Sequence, residues 1–285
     1  MQFSTLMRFV KIEHTLFSLP LIFAGAFLAA GRRSLAGGAI SWRLAGLMLL
    51  AAVGARTTAL ALNRIIDRKI DENNARTAVR ELPAGRMKLS EAYCVLGLGL
   101  LLYFSSAALI GRFCLRWSPL PLAIFVFYPY MKRFTRLAHF GVGLGLAMAP
   151  LAGWVAVTQS LEDILPGFVL GLFTMLWVAG FDIIYATLDE QFDRRANLYS
   201  LPAVLGKQRA LRISGYLHAA AFLVLILIFA LYLRSWLALP FLAGAGYLLY
   251  LEHAKAGDVE LAFFKINAVL GFVIFAMVAA GVSWR

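Results

Sequence analysis

Apolar runs close to the length that crosses a bilayer recur along the whole chain, and this repetition constrains the fold more than any other feature. They fall at about 15–31, 44–62, 92–110, 119–131, 139–158, 164–186, 211–231, 235–251 and 261–284, against the roughly 20 residues a membrane helix needs. Composition agrees: 61% of the 285 residues are hydrophobic and 15% charged, and the mean hydropathy of +0.78 is far from that of a soluble domain. Backbone in lipid must satisfy its own hydrogen bonds, so the expectation is an all-α polytopic membrane protein with nine transmembrane helices. No long linker or low-complexity stretch separates the runs, so residues 1–285 read as a single membrane domain. The first run lacks a small-residue cleavage site and reads as a retained helix rather than a signal peptide. Cys94 and Cys114 show no metal-like spacing and indicate neither a disulfide framework nor a thiolate site.

Nine spans make the connecting segments alternate sides. Of the 27 Lys and Arg, 19 fall on the face of the N-terminus and the even-numbered connections, 7 on the other, and Arg56 lies within a span. Basic loops stay inside, which places the richer face in the cytoplasm of a multi-pass cell-membrane protein. The formal charge of +12 is then mainly topological, with contact to anionic membrane lipid and to an anionic substrate as further contributions. Nucleic acid is not expected, because the basic residues are spread over short loops without an aromatic-interleaved stripe.

Two acidic clusters break the apolar pattern, each where a span meets the basic face. In the first, NRIIDRKID, Asn63, Asp67 and Asp71 are spaced i, i+4, i+8, so a helix turns only about 40° per step and shows all three on one face over about 12 Å. In the second, FDIIYATLDEQFD, Asp182, Tyr185, Asp189 and Asp193 are spaced i, i+3, i+7, i+11, and one regular helix would hold them in a narrow sector over about 16 Å. Stacked carboxylates repel, and an acid at membrane depth costs about 2.5 kcal/mol or more, so something cationic must compensate. One reading pairs them with Arg64, Arg68, Arg194 and Arg195 as solvated helix ends. The other brings both rows to one cavity, a setting for a hard divalent ion such as Mg²⁺ whose shell substrate phosphates complete. The coincidence of two rows in helical register on one membrane face favours the second. Arg56, seven residues before Asn63, is the expected counterpart of the deeper Asp182. Arg76, Arg80 and Arg86 follow the first cluster in a turn-rich loop, and Tyr128, Lys132 and Arg133 close the fourth span; such cations suit the oxygens of a diphosphate.

NRIIDRKID with RTAVRELPAG, then YPYMKR, PLAGW and DIIYATLDEQFD, resemble in order the motifs of the UbiA superfamily of intramembrane prenyltransferases, from about the first helix to residue 210. The resemblance implies nine helices around a central cavity with cytosolic cap loops, and two aspartate-rich motifs that bind a polyprenyl diphosphate through Mg²⁺. It implies Asn63, Asp67, Asp71, Asp182, Asp189 and Asp193 as metal and diphosphate holders, with the five aspartates catalytic. Arg76, Arg80, Tyr128, Lys132, Arg133 and Tyr185 would contact the diphosphate. Two departures stand out: Arg80-Glu81-Leu82-Pro83 where relatives often have Arg-Pro-Leu, and Asn197 and Tyr199 near positions where relatives carry glycine and lysine.

The implied reaction is Mg²⁺-dependent transfer of an isoprenoid group to an aromatic acid, 4-hydroxybenzoate or a dihydroxynaphthoate, in ubiquinone or menaquinone biosynthesis. The acceptor's carboxylate needs a cation away from the metal, for which Arg56 and Lys11 are candidates, and Phe17, Phe23, Phe125, Phe127 and Trp154 are candidates to line the isoprenoid path. The rival reading is an ion-coupled transporter, whose carboxylates should sit near span centres; most of these sit at span ends. A membrane alcohol phosphotransferase would need an Asp-Gly followed by Ala-Arg, absent from both clusters.

Overall fold

The computed structural model describes residues 8–9, 15–33, 40–233, 235–259 and 265–283, and these residues contain helices and turns but no strand. The long helices are α1 (Thr15–Arg33), α2 (Trp42–Asn73) and α3 (Leu89–Ile110); after the short α4 (Arg112–Trp117) come α5 (Pro119–Met131), α6 (Ala138–Thr158) and α7 (Leu165–Ala186). The cap segments α8 (Glu190–Arg195) and α9 (Leu201–Leu205) precede α10 (Lys207–Ile228), α11 (Leu239–Ala254) and α12 (Asn267–Ser283). Every apolar run recognised in the sequence has a helix in it. Among the described residues five helical stretches have both the length and the hydropathy to cross a bilayer, and the chain is a multi-pass membrane protein. Its outer faces carry exposed Leu98, Leu101, Leu223, Tyr247 and Phe272, as lipid contact requires.

The second helix outlasts its apolar run. Ser41 starts α2 by accepting the Leu44 N–H at 3.2 Å, and the helix continues to Asn73, eleven residues or about 16 Å beyond the expected end at 62. Ile65 anchors the extension against Met87, Ala92 and Val95, so the acidic stripe rides on a rigid rod.

The second cluster corrects the expectation of one regular helix. α7 ends at Ala186, a 3₁₀ turn covers Thr187–Asp189, and α8 begins at Glu190. The Thr187 hydroxyl donates to the Ile184 carbonyl at 2.7 Å, competing with the helical ladder in the way that interrupts helices, and the tighter turn swings Asp189 toward the loop after α2.

α1, α6, α7, α10, α11 and α12 pack in a closed circuit, while α2, which carries α3, joins it through α5 and through smaller contacts of its own with α1 and α6. The circuit encloses Trp154, Leu170, Phe173, Trp177, Leu225 and Ile274. α1 and α6 approach backbone to backbone, because a Cβ at Gly153 or Gly25 would collide with the carbonyl oxygens of Ile22 and Pro150 respectively; small residues at such crossings are how membrane helices gain contact. A buried polar chain ties α7 to the C-terminal helices: Trp177 Nε1 donates to Asn267 Oδ1 at 2.7 Å, Asn267 Nδ2 donates to Glu252 Oε1 at 2.9 Å, and Ser214 Oγ donates to the Gly180 carbonyl at 2.8 Å. This chain fixes the rod whose end bears the second acid row.

Candidate active site at the ends of α2 and α7

Both acidic rows open into one cavity of about 200 Å³, lined by Asn63, Asp67 and Asp71 from α2, by Asp182 and Tyr185 from α7, and by Asp189 and Asp193 beyond it. Arg76, Arg80, Tyr128, Lys132 and His139, with Asn74, Thr77 and Ser200, complete its charged and polar wall. The rows therefore converge.

The cations reach the acids across elements, not along the same helix. Lys132 Nζ lies 2.7 Å from Asp67 Oδ2, and Asn63 Nδ2 donates to the same oxygen at 3.3 Å. Arg80 holds Asp71 at 2.7 Å. Arg76 forms a fork on Asp189, with Nε donating to Oδ1 at 2.8 Å and Nη2 donating to Oδ2. Its Nη1 donates to the Tyr185 hydroxyl oxygen at 2.6 Å, and the guanidinium carbon lies 4.8 Å from that ring's centre. Burial opposes the charge on Arg76, but the bonds from Asp189 and the contact with Tyr185 outweigh it and hold the guanidinium above its ordinary range. Asp193 is bonded by Ser200. Arg64 and Arg194, by contrast, face Glu81 at 3.9 Å and Glu190 at 2.9 Å, so these two do not serve the aspartates of the cavity.

Several expectations are corrected. Arg56 is not the partner of Asp182: the carboxylate Oδ2 sits 2.7 Å from His139 Nδ1, because α6 presents its first turn to that depth of α7. Arg133 touches Asp67 at 3.4 Å and the Ile66 carbonyl at 2.9 Å but does not line the cavity. Arg86 turns away to the Val79 carbonyl. Of the aromatic candidates for the apolar path, Phe125 lines it; Trp154 is packed in the core, Phe127 is 57% exposed, and Phe23 packs edge-on against Phe275. Lys11 lies outside the described residues, as does the Phe17 side chain.

The two departures in the motifs acquire physical reasons. Glu81 is buried against Arg64 and, at 4.0 Å, Arg86, so the extra acid binds the loop to α2 and leaves the cavity's cations free of it. Asn197 has φ 53°, the left-handed region that glycine favours and asparagine tolerates, while the Tyr199 N–H donates to the Lys132 carbonyl at 2.7 Å.

Sequence reasoning missed His139, Asn74 and Ser200. Asn74 Nδ2 donates to Asp189 Oδ1 at 2.8 Å, linking the end of the first row to the second. His139 opens an apolar run six residues after the YPYMKR segment ends, a position whose polarity was the available signal.

The polar cavity adjoins an apolar one. Tyr128 and Val142 line both it and a space of about 130 Å³ that also holds Arg56, Phe125 and Met148. That space shares Ile22, Ala51, Tyr103, Pro121, Met148 and Ala152 with a third of about 280 Å³, reaching Trp117, Leu161 and Phe168. Nε of Arg56 is buried with no hydrogen-bond partner among the described residues, in the wall it shares with Tyr128.

Among the described residues no group of three or more His, Cys, Asp or Glu is gathered tightly enough to hold a metal ion unaided. The donor set nevertheless suits a hard divalent ion shared with a substrate. Five carboxylates face Arg76, Arg80 and Lys132 in the cavity wall, leaving two negative charges, and carboxylates with phosphate oxygens are the usual shell of Mg²⁺.

Paired acid rows and cations at one end of a membrane helix bundle, beside adjoining apolar spaces, mark the chain as an intramembrane enzyme. Residues 18–269 match the UbiA prenyltransferase family, and the chain belongs to that family and is a transferase. A 4-hydroxybenzoate octaprenyltransferase of Coxiella burnetii (strain CbuK_Q154) is 26% identical over 244 residues, which are 84% of this chain and 83% of that protein. The apo structure of a UbiA homolog from Aeropyrum pernix K1 is 37% identical and superposes with a TM-score of 0.86 over 94% of this chain and 97% of that one. A UbiA homolog from Archaeoglobus fulgidus bound to GPP and Mg²⁺ shares the fold, with a TM-score of 0.72 at 18% identity over 98% of this chain and 99% of that one.

Proposed function

We propose that the chain transfers a prenyl group from a polyprenyl diphosphate to 4-hydroxybenzoate or a dihydroxynaphthoate, in ubiquinone or menaquinone biosynthesis, at an active site on the cytoplasmic side of the cell membrane. The observation that carries this reading is the adjacency of the acid-lined cavity and the apolar spaces, which have Tyr128 and Val142 in common as lining. A diphosphate head fits the first and an isoprenoid tail the second.

Asn63, Asp67, Asp71, Asp182, Asp189 and Asp193 would hold Mg²⁺ together with diphosphate oxygens. When bound, the ion supplies Lewis-acid stabilisation of the departing diphosphate. Arg76, Arg80 and Lys132 take phosphate oxygens as point and forked charges, with Tyr185 orienting Arg76. Arg133 acts one step back, by steadying Asp67. The allylic C–O bond breaks with its electron pair going to the diphosphate, a ring carbon of the acceptor supplies the pair for the new C–C bond, and the ring loses a proton. The apolar walls exclude the water that would otherwise intercept the allylic group. Arg56 would meet the acceptor's carboxylate beside Tyr128, where its Nε has no hydrogen-bond partner among the described residues; Lys11 is the second candidate.

The test is incubation of the purified protein in lipid with Mg²⁺, geranyl diphosphate and a panel of hydroxybenzoates, naphthoates and homogentisate, with products weighed by mass spectrometry. A prenylated hydroxybenzoate or naphthoate is expected, and none with EDTA present. Failure of every acceptor to gain a prenyl group, or transfer undiminished by EDTA, refutes the reading.

The passage makes a second prediction. Ala152 lines both apolar spaces, so Ala152→Phe should obstruct the tail's path. Transfer from geranyl diphosphate is expected to stay within about threefold of wild type while transfer from a long polyprenyl diphosphate falls about tenfold or more, since pocket sterics discriminate on that scale. Equal effects on both donors would show that the tail takes another route.

A further inference from the structure

His139 makes two bonds that no part of the proposed chemistry yet uses. The residue is 3% exposed, and Nε2 accepts the backbone N–H of Leu201 at 3.1 Å. An imidazole nitrogen that accepts an N–H carries no proton, so the neutral ring holds its proton on Nδ1 and donates it to Asp182 Oδ2 at 2.7 Å. One ring thus joins the start of α6, the deepest acid of α7 and the first residue of α9, whose N-cap Ser200 bonds Asp193.

The environment of Asp182 is unlike that of its neighbours. Asp67, Asp71 and Asp189 each face a Lys or Arg in the cavity. Asp182 instead faces the His139 ring, whose other nitrogen accepts the Leu201 N–H. One oxygen of its carboxylate is therefore held by the ring, and among the described residues no Lys or Arg forms an ion pair with it, in the cavity wall. We infer that His139 is a positioning residue for prenyl transfer: through its two bonds it aims Asp182 at the reacting groups and locks α9 against the helices. The inference deepens the reaction proposed above and rests on it.

His139→Leu keeps the volume and removes both bonds. The expected result is a fall in kcat of about twentyfold for Mg²⁺-dependent transfer from geranyl diphosphate, within the range that a misplacement of about 1 Å produces. The KM for geranyl diphosphate should stay within about threefold, because Arg76, Arg80 and Lys132 are untouched. His139→Gln, which offers one donor and one acceptor, should recover kcat to within about threefold of wild type. In an Asp182→Asn background His139→Leu should cost no more than about threefold, since residues acting as one unit are not additive. A loss in His139→Leu smaller than about twofold, no recovery by glutamine, or full additivity in the double variant overturns the inference. Nitrogen-15 NMR of histidine-labelled protein in bilayers, with the His139 signal identified by its loss in His139→Gln, reads the dyad without any turnover. A protonated Nδ1 and bare Nε2 are expected, and the opposite tautomer overturns the arrangement. An inactive wild type would instead remove the transfer reaction and with it the catalytic use of the dyad, so the two failures are told apart.

Discussion

Asp71→Asn is expected to lower Mg²⁺-dependent prenyl transfer by about 100-fold or more, equivalent to about 2.7 kcal/mol of transition-state stabilisation. The substitution keeps the side chain's shape and removes its charge. Asp71 is 4% exposed, its carboxylate is bound by Arg80 at 2.7 Å, and its carbonyl accepts the Thr77 hydroxyl at 3.0 Å as the chain leaves the helix. An amide there weakens the hold on a divalent ion and also leaves Arg80 without its counter-charge while the diphosphate arrives. Asp193→Asn, in the opposite row, should produce a loss of similar size, since the proposed chemistry needs both rows. Transfer rates in membranes with matched protein levels measure this, with melting temperature as a control for the lost ion pair. Either variant retaining activity within about threefold of wild type would remove that aspartate from the proposed ion-holding set.

The second large effect belongs to the fold. Gly153→Ala is expected to destabilise the protein by about 3 kcal/mol or more, at the upper end of what single substitutions do. A Cβ at Gly153 would strike the Ile22 carbonyl and stand 2.9 Å from the Ala26 nitrogen, and backbone cannot rotate aside as a side-chain tip can. The helices α1 and α6 would have to part, and α6 carries His139 at one end and the passage residues Met148 and Ala152 along its length. Gly97→Ala is the matched control: nothing lies within 4 Å of its Cβ position, so a mid-helix alanine there should be neutral or stabilising by about 0.5–1 kcal/mol. Thermal unfolding in detergent by size exclusion measures both. Equal melting temperatures for the two variants would show that the α1–α6 crossing tolerates separation.

Much of the site was legible because its signal is local. Asn63, Asp67 and Asp71 share a face by helical arithmetic alone, and α2 keeps the regular geometry that the arithmetic assumes. The second row was legible in its residues but not in its shape, since the 3₁₀ turn at Thr187–Asp189 follows from a hydroxyl competing for a carbonyl. Pairing was least legible. Asp67 with Lys132, Asp189 with Arg76 and Asp182 with His139 join residues 65, 113 and 43 positions apart, and many cations at the same membrane face were equally eligible on charge alone. Arg56 was matched to the wrong partner for this reason: register along a helix gives direction but not depth relative to α6.

The sequence by itself determined that the chain lives in lipid, that it is helical, and that two carboxylate rows end spans on one face, because hydropathy and helical period are properties of neighbouring residues. Only the tertiary structure decided which cation meets which acid, that His139 belongs to the site, and that an apolar space adjoins the polar cavity at Tyr128. Those facts depend on how closely α6 can approach α1 and α7, which is set by glycine contacts and side-chain volumes contributed from distant parts of the chain.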